Sequence, residues 1–283
     1  MAAPNPLIDM SKLELTGEIL TRAVAALGSF LFSGVPRNLE VGRVGRALYI
    51  LSHSGCSTRA PMFYRSVDYV VGHQQSDGGW SDPEETAWAI GAIRLVRGLG
   101  DPVIPSAIQW LDSVRNLGGG WGRHPRDQAR IPITALILVL VPEVVKPRDR
   151  DWLINEWQRD FDGPVRLSYK AGFFLMAMAA REEKELVAKT ISHLSKDQNE
   201  DGGFGPWKDH PIGSDPWSTG IVLLGLLSYP ELVKREVIEK AVNWLAEKQL
   251  PNGLWPYHYI EEGSAYAYWG LVEALKYLSK ESD

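Results

Sequence analysis

Three acidic side chains fall within four residues in the segment Asp82-Pro83-Glu84-Glu85, which leads directly into Thr86 and an apolar stretch. Carboxylates this close repel one another, and the repulsion raises the pKa of at least one of them. A carboxyl group that stays neutral in a dry cavity can donate a proton to a bound molecule. Glu84, Glu85 and Asp82 are therefore the first candidates for a catalytic acid.

The same segment has the pattern of a helix start, which offers a purely structural explanation. Asp82 is a favoured N-cap residue, Pro83 suits the first helical position, and Glu85 falls at the third position, where capping acids reach back. The helix dipole stabilises ionised carboxylates there, which works against a proton donor. Capping alone explains the spacing, so catalysis and capping both stay open for these acids.

A second copy of the pattern shows which of its residues recur and which occur only in the first copy. Segment 215–219 repeats the order Asp-Pro-x-x-Thr but lacks the additional acids. The shared residues indicate helix capping, and Glu84 and Glu85 are what the first copy adds. Asp215 is kept as a fourth catalytic candidate because its helix start can face a cavity.

Aromatic residues collect near several predicted helix starts. Their faces can stabilise a positively charged intermediate, although aromatic side chains also fill ordinary helical cores. Together with one imidazole, the candidates for lining a substrate site are Trp88, Tyr169, Phe173, Trp217, Tyr257, His258, Tyr259 and Tyr266.

Cationic side chains follow two predicted turns. They are Arg123, Arg126 and Arg130 after the first of these turns, and Arg166 and Lys170 after the second. If Arg130 and Arg166 reach the mouth of a cavity, they can hold an anionic group such as a diphosphate. A solvated surface is the competing explanation.

No pattern of metal ligands is present in the sequence. The six histidines are scattered and lack a metal-binding spacing such as His-Glu-x-x-His. The single cysteine, Cys56, excludes an internal disulfide framework and any multi-cysteine metal site. We therefore expect no metal and no cofactor.

Gly-rich turns that carry an aromatic residue recur along the chain and organise it. Their aromatic residues, separated by 41, 40, 43 and 51 residues, are Trp80, Trp121, Phe161, Phe204 and Trp255. Two predicted helices lie between each turn and the next. A period of this size is typical of stacked helical hairpins.

The helices after each turn are apolar throughout, whereas the helices before each turn are amphipathic. This asymmetry predicts an inner ring of helices packed on all sides and an outer ring that faces water. Inner helices are expected near Leu39, Glu84, Pro132, Leu167, Pro216 and Ser264. The predicted bounds include 148–157 and 231–248 for two outer helices and 264–278 for the last inner helix. Six such pairs close an all-α (α/α)6 barrel, with one domain over residues 1–283 and the barrel over about 13–278.

The net charge of -5 comes from interspersed acidic and basic residues, which gives no electrostatic footprint for nucleic acid. No window approaches the roughly 20 apolar residues of a membrane span, and no signal-peptide pattern opens the sequence. A single cysteine and the lack of targeting patterns predict a reducing, cytoplasmic location. Peripheral contact with a membrane, or with a partner protein, stays open.

Three of the turns share a longer pattern. These segments are 75–80 (Gln-Ser-Asp-Gly-Gly-Trp), 198–205 (Gln-Asn-Glu-Asp-Gly-Gly-Phe-Gly) and 249–255 (Gln-Leu-Pro-Asn-Gly-Leu-Trp). They resemble the Gln-Trp repeats of squalene–hopene and oxidosqualene cyclases, to which the repeats of protein prenyltransferase β-subunits are related. The resemblance covers most of residues 74–278 and implies the α/α barrel of that superfamily.

Segment 82–87 is similar, in register, to the Asp-x-Asp-Asp-Thr-Ala motif with which class II terpene cyclases protonate an alkene or epoxide. The resemblance implies that Glu84 is the proton donor, with Asp82 and Glu85 as its neighbours. Glu replaces Asp at both central positions of the motif. These cyclases usually carry two helical domains, whereas this chain has room for one barrel, so a shorter prenyl chain or a different substrate is implied.

Three functions stay open. The first is a terpene-cyclase-like enzyme, of isomerase or lyase type, that starts cyclisation by protonating an apolar or prenyl-type substrate in a central cavity. The second is an α/α-toroid hydrolase or lyase with a carboxylate pair. That pair would be drawn from Glu84 or Glu85 and from Asp215 or Glu262. The third is a non-catalytic barrel that binds a lipid or a partner protein.

Overall fold

The computed structural model describes residues 10–34, 39–179 and 183–280, and these ranges form twelve α-helices without a strand. The even-numbered helices are α2 (Val41–His53), α4 (Pro83–Arg97), α6 (Ile131–Leu140), α8 (Ser168–Met178), α10 (Pro216–Leu227) and α12 (Ile260–Lys280). The odd-numbered helices are α1 (Met10–Gly34), α3 (Pro61–Gly72), α5 (Ile104–Ser113), α7 (Pro147–Asp162), α9 (Lys184–Asp197) and α11 (Arg235–Lys248). The ends of the predicted domain, 1–9 and 281–283, lie outside the described residues.

The even-numbered helices form a closed inner ring. Each of them packs against the next, and α12 packs back against α2. The odd-numbered helices lie outside and pack on one or two inner helices, with α1 against both α12 and α2. The predicted all-α (α/α)6 barrel is confirmed.

The apolar inner helices bury a larger share of their residues than the amphipathic outer helices do. Inner helix α10 buries all but two of its residues, whereas outer helix α11 buries fewer than half. A helix that is apolar all round is stable only when other elements cover every side of it, and the ring provides that cover. Among the described residues, no helix is both long and apolar enough to cross a membrane.

Each well-formed turn is fastened to the inner helix that follows it. The backbone N–H of the turn aromatic donates to a helix hydroxyl in the pairs Trp80 with Thr86, Trp121 with Thr134, Phe204 with Thr219, and Trp255 with Ser264. All four aromatic side chains are buried. These residues are scaffold, as the repeat interpretation predicts.

Glutamine side chains connect three of the turns to the next outer helix, through Gln74, Gln198 and Gln249. Gln249 donates to the carbonyl of Gly253 in its own turn (3.0 Å) and to that of Ile19 on α1 (2.9 Å). This bond joins the last turn to the first helix and so contributes to closing the ring. In the first turn Gln74, rather than Gln75, makes the equivalent bonds.

Three predicted helix boundaries differ from the structure by four or five residues. Helix α7 continues to Asp162 instead of ending at Trp157, because no helix breaker precedes Gly163 and Phe161 packs one turn later against Trp157. Phe161 therefore lies in a helix and not in a turn. Pro230 begins a short 3-10 turn, so α11 starts at Arg235 rather than at 231.

The last inner helix begins earlier than predicted, at Ile260 instead of 264. The backbone N–H groups of Glu262 and Gly263 both donate to the carbonyl of Tyr259, which starts the helix there. Glu262 consequently lies in the first turn of α12, the same place that Glu84 occupies in α4.

Candidate active site

A cavity of about 660 Å³ opens at the end of the barrel where the inner helices begin. The first turns of α4, α6, α8, α10 and α12, with the segments before them, form its walls. Buried side chains form its inner wall: Ile131, Ile133, Leu136, Phe173 and Tyr266. Its volume falls in the range of roughly 300–1,000 Å³ that is usual for small-molecule sites.

Four inner helices present one equivalent position to this cavity. The position lies two residues before the hydroxyl that bonds the turn aromatic, and its occupants are Glu84, Pro132, Trp217 and Glu262. All four side chains line the cavity. The repeat therefore places two carboxylates, Glu84 and Glu262, in the wall of one cavity.

Glu84 and Glu85 have different surroundings although they are adjacent. The oxygens of Glu85, which is buried, accept hydrogen bonds from the backbone N–H groups of Gly42 (2.7 Å) and Ser81 (2.9 Å). Glu84 lines the cavity, and its Oε1 accepts a hydrogen bond from Arg46 over 3.1 Å. Glu85 therefore ties the start of α4 to α2, whereas Glu84 faces the cavity.

Asp82 caps α4, because it accepts a hydrogen bond of 2.8 Å from the backbone N–H of Glu85. Burial raises the pKa of Asp82 to about 6, and the negative charges of Glu84 and Glu85 act in the same direction. The hydrogen bond from Glu85 opposes this increase without cancelling it. Asp82 is not part of the cavity lining.

Asp215 combines two roles that the sequence left open. It caps α10 by accepting from the backbone N–H of Ser218 (2.7 Å), and the Ser218 hydroxyl also donates to it (2.7 Å). The carboxyl is buried and lines the cavity. Burial raises its pKa, while the hydrogen bonds from Ser218 act against the increase.

Arg46 is a site residue that the sequence analysis missed. Its guanidinium lies 3.1 Å from Oε1 of Glu84 and 3.6 Å from Oε2 of Glu262, between α4 and α12. Burial lowers the pKa of Arg46, but the charges of Glu262 and Glu84 more than offset this, so the pKa stays above its ordinary value. The guanidinium also lies over the rings of Trp88 and Tyr266, at 5.6 and 5.9 Å from their centroids.

The aromatic lining is organised around Trp217. Its indole lies 4.9 Å from Tyr169 and stacks on Tyr257 at 6.1 Å between centroids, and Phe173 and Tyr266 stand edge-on to it at 6.3 and 6.2 Å. All five side chains line the cavity. Burial raises the pKa of the Tyr266 and Tyr257 hydroxyls, so both rings remain neutral near pH 7.

The open end of the cavity is mainly cationic. Arg123, Arg130 and Lys170 line it together with Glu156 and His258. Arg130 pairs with Asp127 and Lys170 pairs with Asp160. Among the described residues Arg123 has no ion-pair partner.

Three of the predicted substrate-binding residues lie outside the lining. Trp88 is fully buried behind Arg46, where it packs in the core of the inner ring. Arg166 turns away from the cavity, donating to the carbonyl of Phe161 and lying over its ring. Tyr259 is 58% exposed and does not line the cavity, although its neighbour His258 does.

No group of three or more His, Cys, Asp or Glu side chains within the described ranges is placed to hold a metal ion.

Comparison with curated proteins connects the chain to cyclases by sequence. It is 26% identical over 199 residues to a squalene–hopene cyclase from Zymomonas mobilis, which covers 56% of this chain and 30% of that protein. It is 25% identical over 219 residues to a drimenyl diphosphate synthase from Streptomyces showdoensis, covering 66% of this chain and 40% of that protein. The chain therefore spans well under half the length of these relatives. No family model matches the chain.

Solved structures show the same fold over nearly the whole chain. A variant of the type II terpene cyclase MstE from Scytonema, in complex with its substrate geranylgeranyl dihydroxybenzoate, superimposes with a TM-score of 0.76 and 17% identity. The match covers 95% of this chain and 99% of that one. A further variant, in complex with the product merosterolic acid A, gives a TM-score of 0.70 at 16% identity, with 96% and 99% covered. The single barrel is thus the fold of type II terpene cyclases, as the resemblance of the turns predicts.

Proposed function

We propose that this protein is a class II terpene cyclase-like enzyme in which Glu84 starts cyclisation by protonating a prenyl-type substrate. The observation that carries the proposal is the position of Glu84, a carboxyl group in the wall of a cavity lined by aromatic rings. Glu84 also occupies the place of the proton donor in the motif that segment 82–87 resembles. Names of the relatives and of the structural neighbours point to the same chemistry.

The hydrogen bonds around the acidic segment favour Glu84 over its neighbours as the donor. Both oxygens of Glu85 accept bonds from backbone N–H groups, and Asp82 accepts one as the cap of α4. Oε2 of Glu84 has no hydrogen-bond partner among the described residues. This oxygen can carry a proton and present it to a substrate, whereas the oxygens of Glu85 are better suited to a carboxylate.

In the proposed first step, the proton leaves Glu84 and the π electrons of a substrate double bond form the new C–H bond. The electron pair of the O–H bond stays on Glu84, which becomes a carboxylate, and the substrate becomes a carbocation. Attack by the next double bond along the prenyl chain closes a ring and moves the positive charge onward. Loss of a proton from the final cation to water ends the sequence, and the solvent returns a proton to the Glu84 carboxylate, so the product is an isomer of the substrate.

The aromatic lining supports the intermediate cations. The faces of Trp217, Phe173 and Tyr266 carry negative electrostatic potential, which attracts a positive charge within about 6 Å. The buried apolar residues of the inner wall exclude water, which would otherwise capture the cation before cyclisation is complete.

We further propose that the substrate carries an anionic head group. The MstE substrate joins a prenyl chain to a dihydroxybenzoate, and the drimenyl diphosphate synthase is named for a diphosphate product. In this chain Arg123, Arg130 and Lys170 line the open end of the cavity. They can hold a carboxylate or diphosphate there while the prenyl chain extends inward to Glu84.

The other two functions are not favoured. The related sequences are named as cyclases. A possible member of the GH105 family from Salmonella enterica also shares the fold, with a TM-score of 0.61, which is lower than the 0.76 of MstE. Hydrolysis by a carboxylate pair needs two acids that can each act on the substrate. Glu84 and Glu262 are instead both paired with the guanidinium of Arg46, which is buried between them. A membrane or a partner protein has no support in these findings and is not part of the proposal, and a cytoplasmic location stays a prediction.

The experiment is a substitution of Glu84 with a matched control. Purified protein is incubated with geranylgeranyl dihydroxybenzoate and, separately, with farnesyl and geranylgeranyl diphosphate, and cyclic products are identified by mass spectrometry and NMR. Glu84→Gln should abolish product formation with little change in Tm. Glu185→Gln changes the equivalent position in the first turn of outer helix α9, where the carboxylate is exposed and pairs with Lys189, and should retain full activity. Retained activity in Glu84→Gln would refute the proposal.

A further inference from the structure

Arg46 lies between two carboxylates that line the same cavity. Its Nη2 is 3.1 Å from Oε1 of Glu84, and its Nη1 is 3.6 Å from Oε2 of Glu262. Only 10% of the Arg46 side chain is exposed. The side chains of Glu84 and Glu262 are 35% and 24% exposed, so water weakens the interaction of the three charges only in part, and the protonation of one acid depends on the other two groups.

The hydrogen bonds distinguish the two carboxylates. Oε1 of Glu262 accepts a hydrogen bond from the indole N–H of Trp217 (3.1 Å), and its Oε2 forms an ion pair with Arg46 at 3.6 Å, so both oxygens face a partner that favours the carboxylate. Among the residues that the structure describes, Glu84 meets a donor only at Oε1. If both acids were ionised the three groups would carry one net negative charge, and a proton on Glu84 removes it without breaking any of these contacts.

We propose that Arg46 and Glu262 set the acidity of Glu84. Glu262 neutralises Arg46 while Glu84 carries its proton, and Arg46 stabilises the Glu84 carboxylate once the proton has moved to the substrate. The inference rests on the proposed function, because it assigns a purpose to the acidity of Glu84. Arg46 and Glu262 act through Glu84 and are therefore positioning residues.

The placement of Arg46 between Glu84 and Glu262 serves two opposing requirements on the acidity of Glu84. An alkene is a weak base, so its protonation needs a strong acid, yet the acid must still hold a proton near neutral pH. A nearby cation strengthens the acid, and a nearby anion helps it to keep its proton. The ion pair also leaves little net positive charge beside Tyr266, where the proposed carbocation would be stabilised.

Other titratable groups surround the cavity and must be considered in any pH profile. On the element of Glu84 they are Asp82 and Glu85. On α12 and the segment before it they are Tyr257, His258, Glu262 and Tyr266, and at the start of α10 there is Asp215. From the segment before α6, from α7 and from α8 they are Arg123, Arg130, Glu156, Tyr169 and Lys170. Within the described ranges, Arg46 alone forms an ion pair with Glu84.

The test uses two substitutions with opposite expected effects on the pH dependence of kcat. Activity requires protonated Glu84, so kcat falls as the pH rises through the pKa of Glu84. Glu262→Gln leaves Arg46 paired with Glu84 alone, which should lower that pKa and move the fall in kcat to lower pH by about one unit. Arg46→Met removes the cation and should move the fall to higher pH by about one unit, with a lower maximal rate. Arg46→Lys keeps the charge and should restore most of the wild-type profile.

A neighbouring ion pair provides the control. Arg43 and Glu261 join the same two helices, α2 and α12. In the described ranges neither of them forms an ion pair or hydrogen bond with Glu84, and neither lines the cavity. Arg43→Met and Glu261→Gln should leave the pH profile unchanged. Equal shifts in the control variants and the test variants would overturn the inference, because the effect would then be structural.

A measurement without substrate separates this inference from the proposed function. In protein with ¹³C-labelled glutamate carboxyl groups, the Glu84 signal is the one that is lost in Glu84→Gln. Its titration midpoint should fall in Glu262→Gln and rise in Arg46→Met. If these shifts occur but no variant forms product, the inference on acidity is supported and the proposed function fails. If product forms but the titration midpoint of Glu84 is the same in the wild type and in Glu262→Gln, the inference on acidity is overturned while the proposed function stands. If Arg46→Met does not fold, the Glu262→Gln variant alone decides the test.

Discussion

The carboxylate of Glu85 accepts a hydrogen bond of 2.7 Å from the backbone N–H of Gly42, which joins the start of α4 to the start of α2. Its other oxygen accepts from the backbone N–H of Ser81 over 2.9 Å. Within the described part of the chain, the side chain of Glu84 makes no comparable bond to a backbone N–H. Two adjacent acids in one motif thus have separate tasks, of which one is structural.

The first prediction follows from this difference. Glu85→Gln replaces an acceptor oxygen by an NH2 group, which leaves one buried backbone N–H without a partner. An unsatisfied buried donor costs about 1–3 kcal/mol, so the free energy of unfolding should fall by about that amount in a urea titration. Glu84→Gln keeps a carbonyl oxygen that can accept from Arg46, so the free energy of unfolding should change by less than about 1 kcal/mol. Equal losses in the two variants would contradict the assignment.

The second prediction concerns pH and Asp82. Burial raises the pKa of Asp82 from 3.8 to about 6, so the folded protein binds this proton more tightly than the unfolded chain does. The resulting stabilisation is complete below about pH 4 and is lost as the pH rises to about 6. Asp82→Asn also caps a helix but does not titrate. Relative to this variant, the wild type should lose stability between pH 4 and 6, by on the order of 2 kcal/mol. Parallel stability curves for the two proteins would rule out the raised pKa.

The third prediction tests the cationic end of the cavity. Arg123→Gln should raise KM about tenfold for a prenylated hydroxybenzoate, which corresponds to a lost contact of about 1.4 kcal/mol. It should leave kcat, and KM for the methyl ester of the same compound, nearly unchanged. Arg126→Gln is the matched control, since Arg126 lies in the same loop and does not line the cavity. The same change in KM for the acid and its ester would show that Arg123 does not bind the anionic group.

The scaffold could be predicted from the sequence because its contacts are local and repeated. Thr86 and Thr219 follow their turn aromatics at short separations, and each bonds the backbone N–H of that aromatic. Asp82 and Asp215 cap the next helix three residues ahead. Contacts over such short distances along the chain leave a pattern of residue types that can be recognised without a structure.

The candidate site could be predicted only in part, because its remaining contacts join distant segments. Arg46 meets Glu84 across 38 residues of chain, and no turn or cap marks its position on α2. Glu262 had a signal, because it stands two residues before Ser264 as Glu84 stands two before Thr86. The direction of Trp88 depends on its neighbours in the closed ring, and residue type alone does not reveal it.

The central claim is that cyclisation begins with a proton from Glu84, and the most direct test is the reaction with geranylgeranyl dihydroxybenzoate in D2O. The acidic proton of Glu84 exchanges with the solvent, so the account predicts a cyclic product with one deuterium on the carbon that was protonated, located by NMR. The product should keep its head group, and Glu84→Gln should form none. A cyclic product without deuterium on carbon, or the same labelled product from Glu84→Gln, would contradict the account.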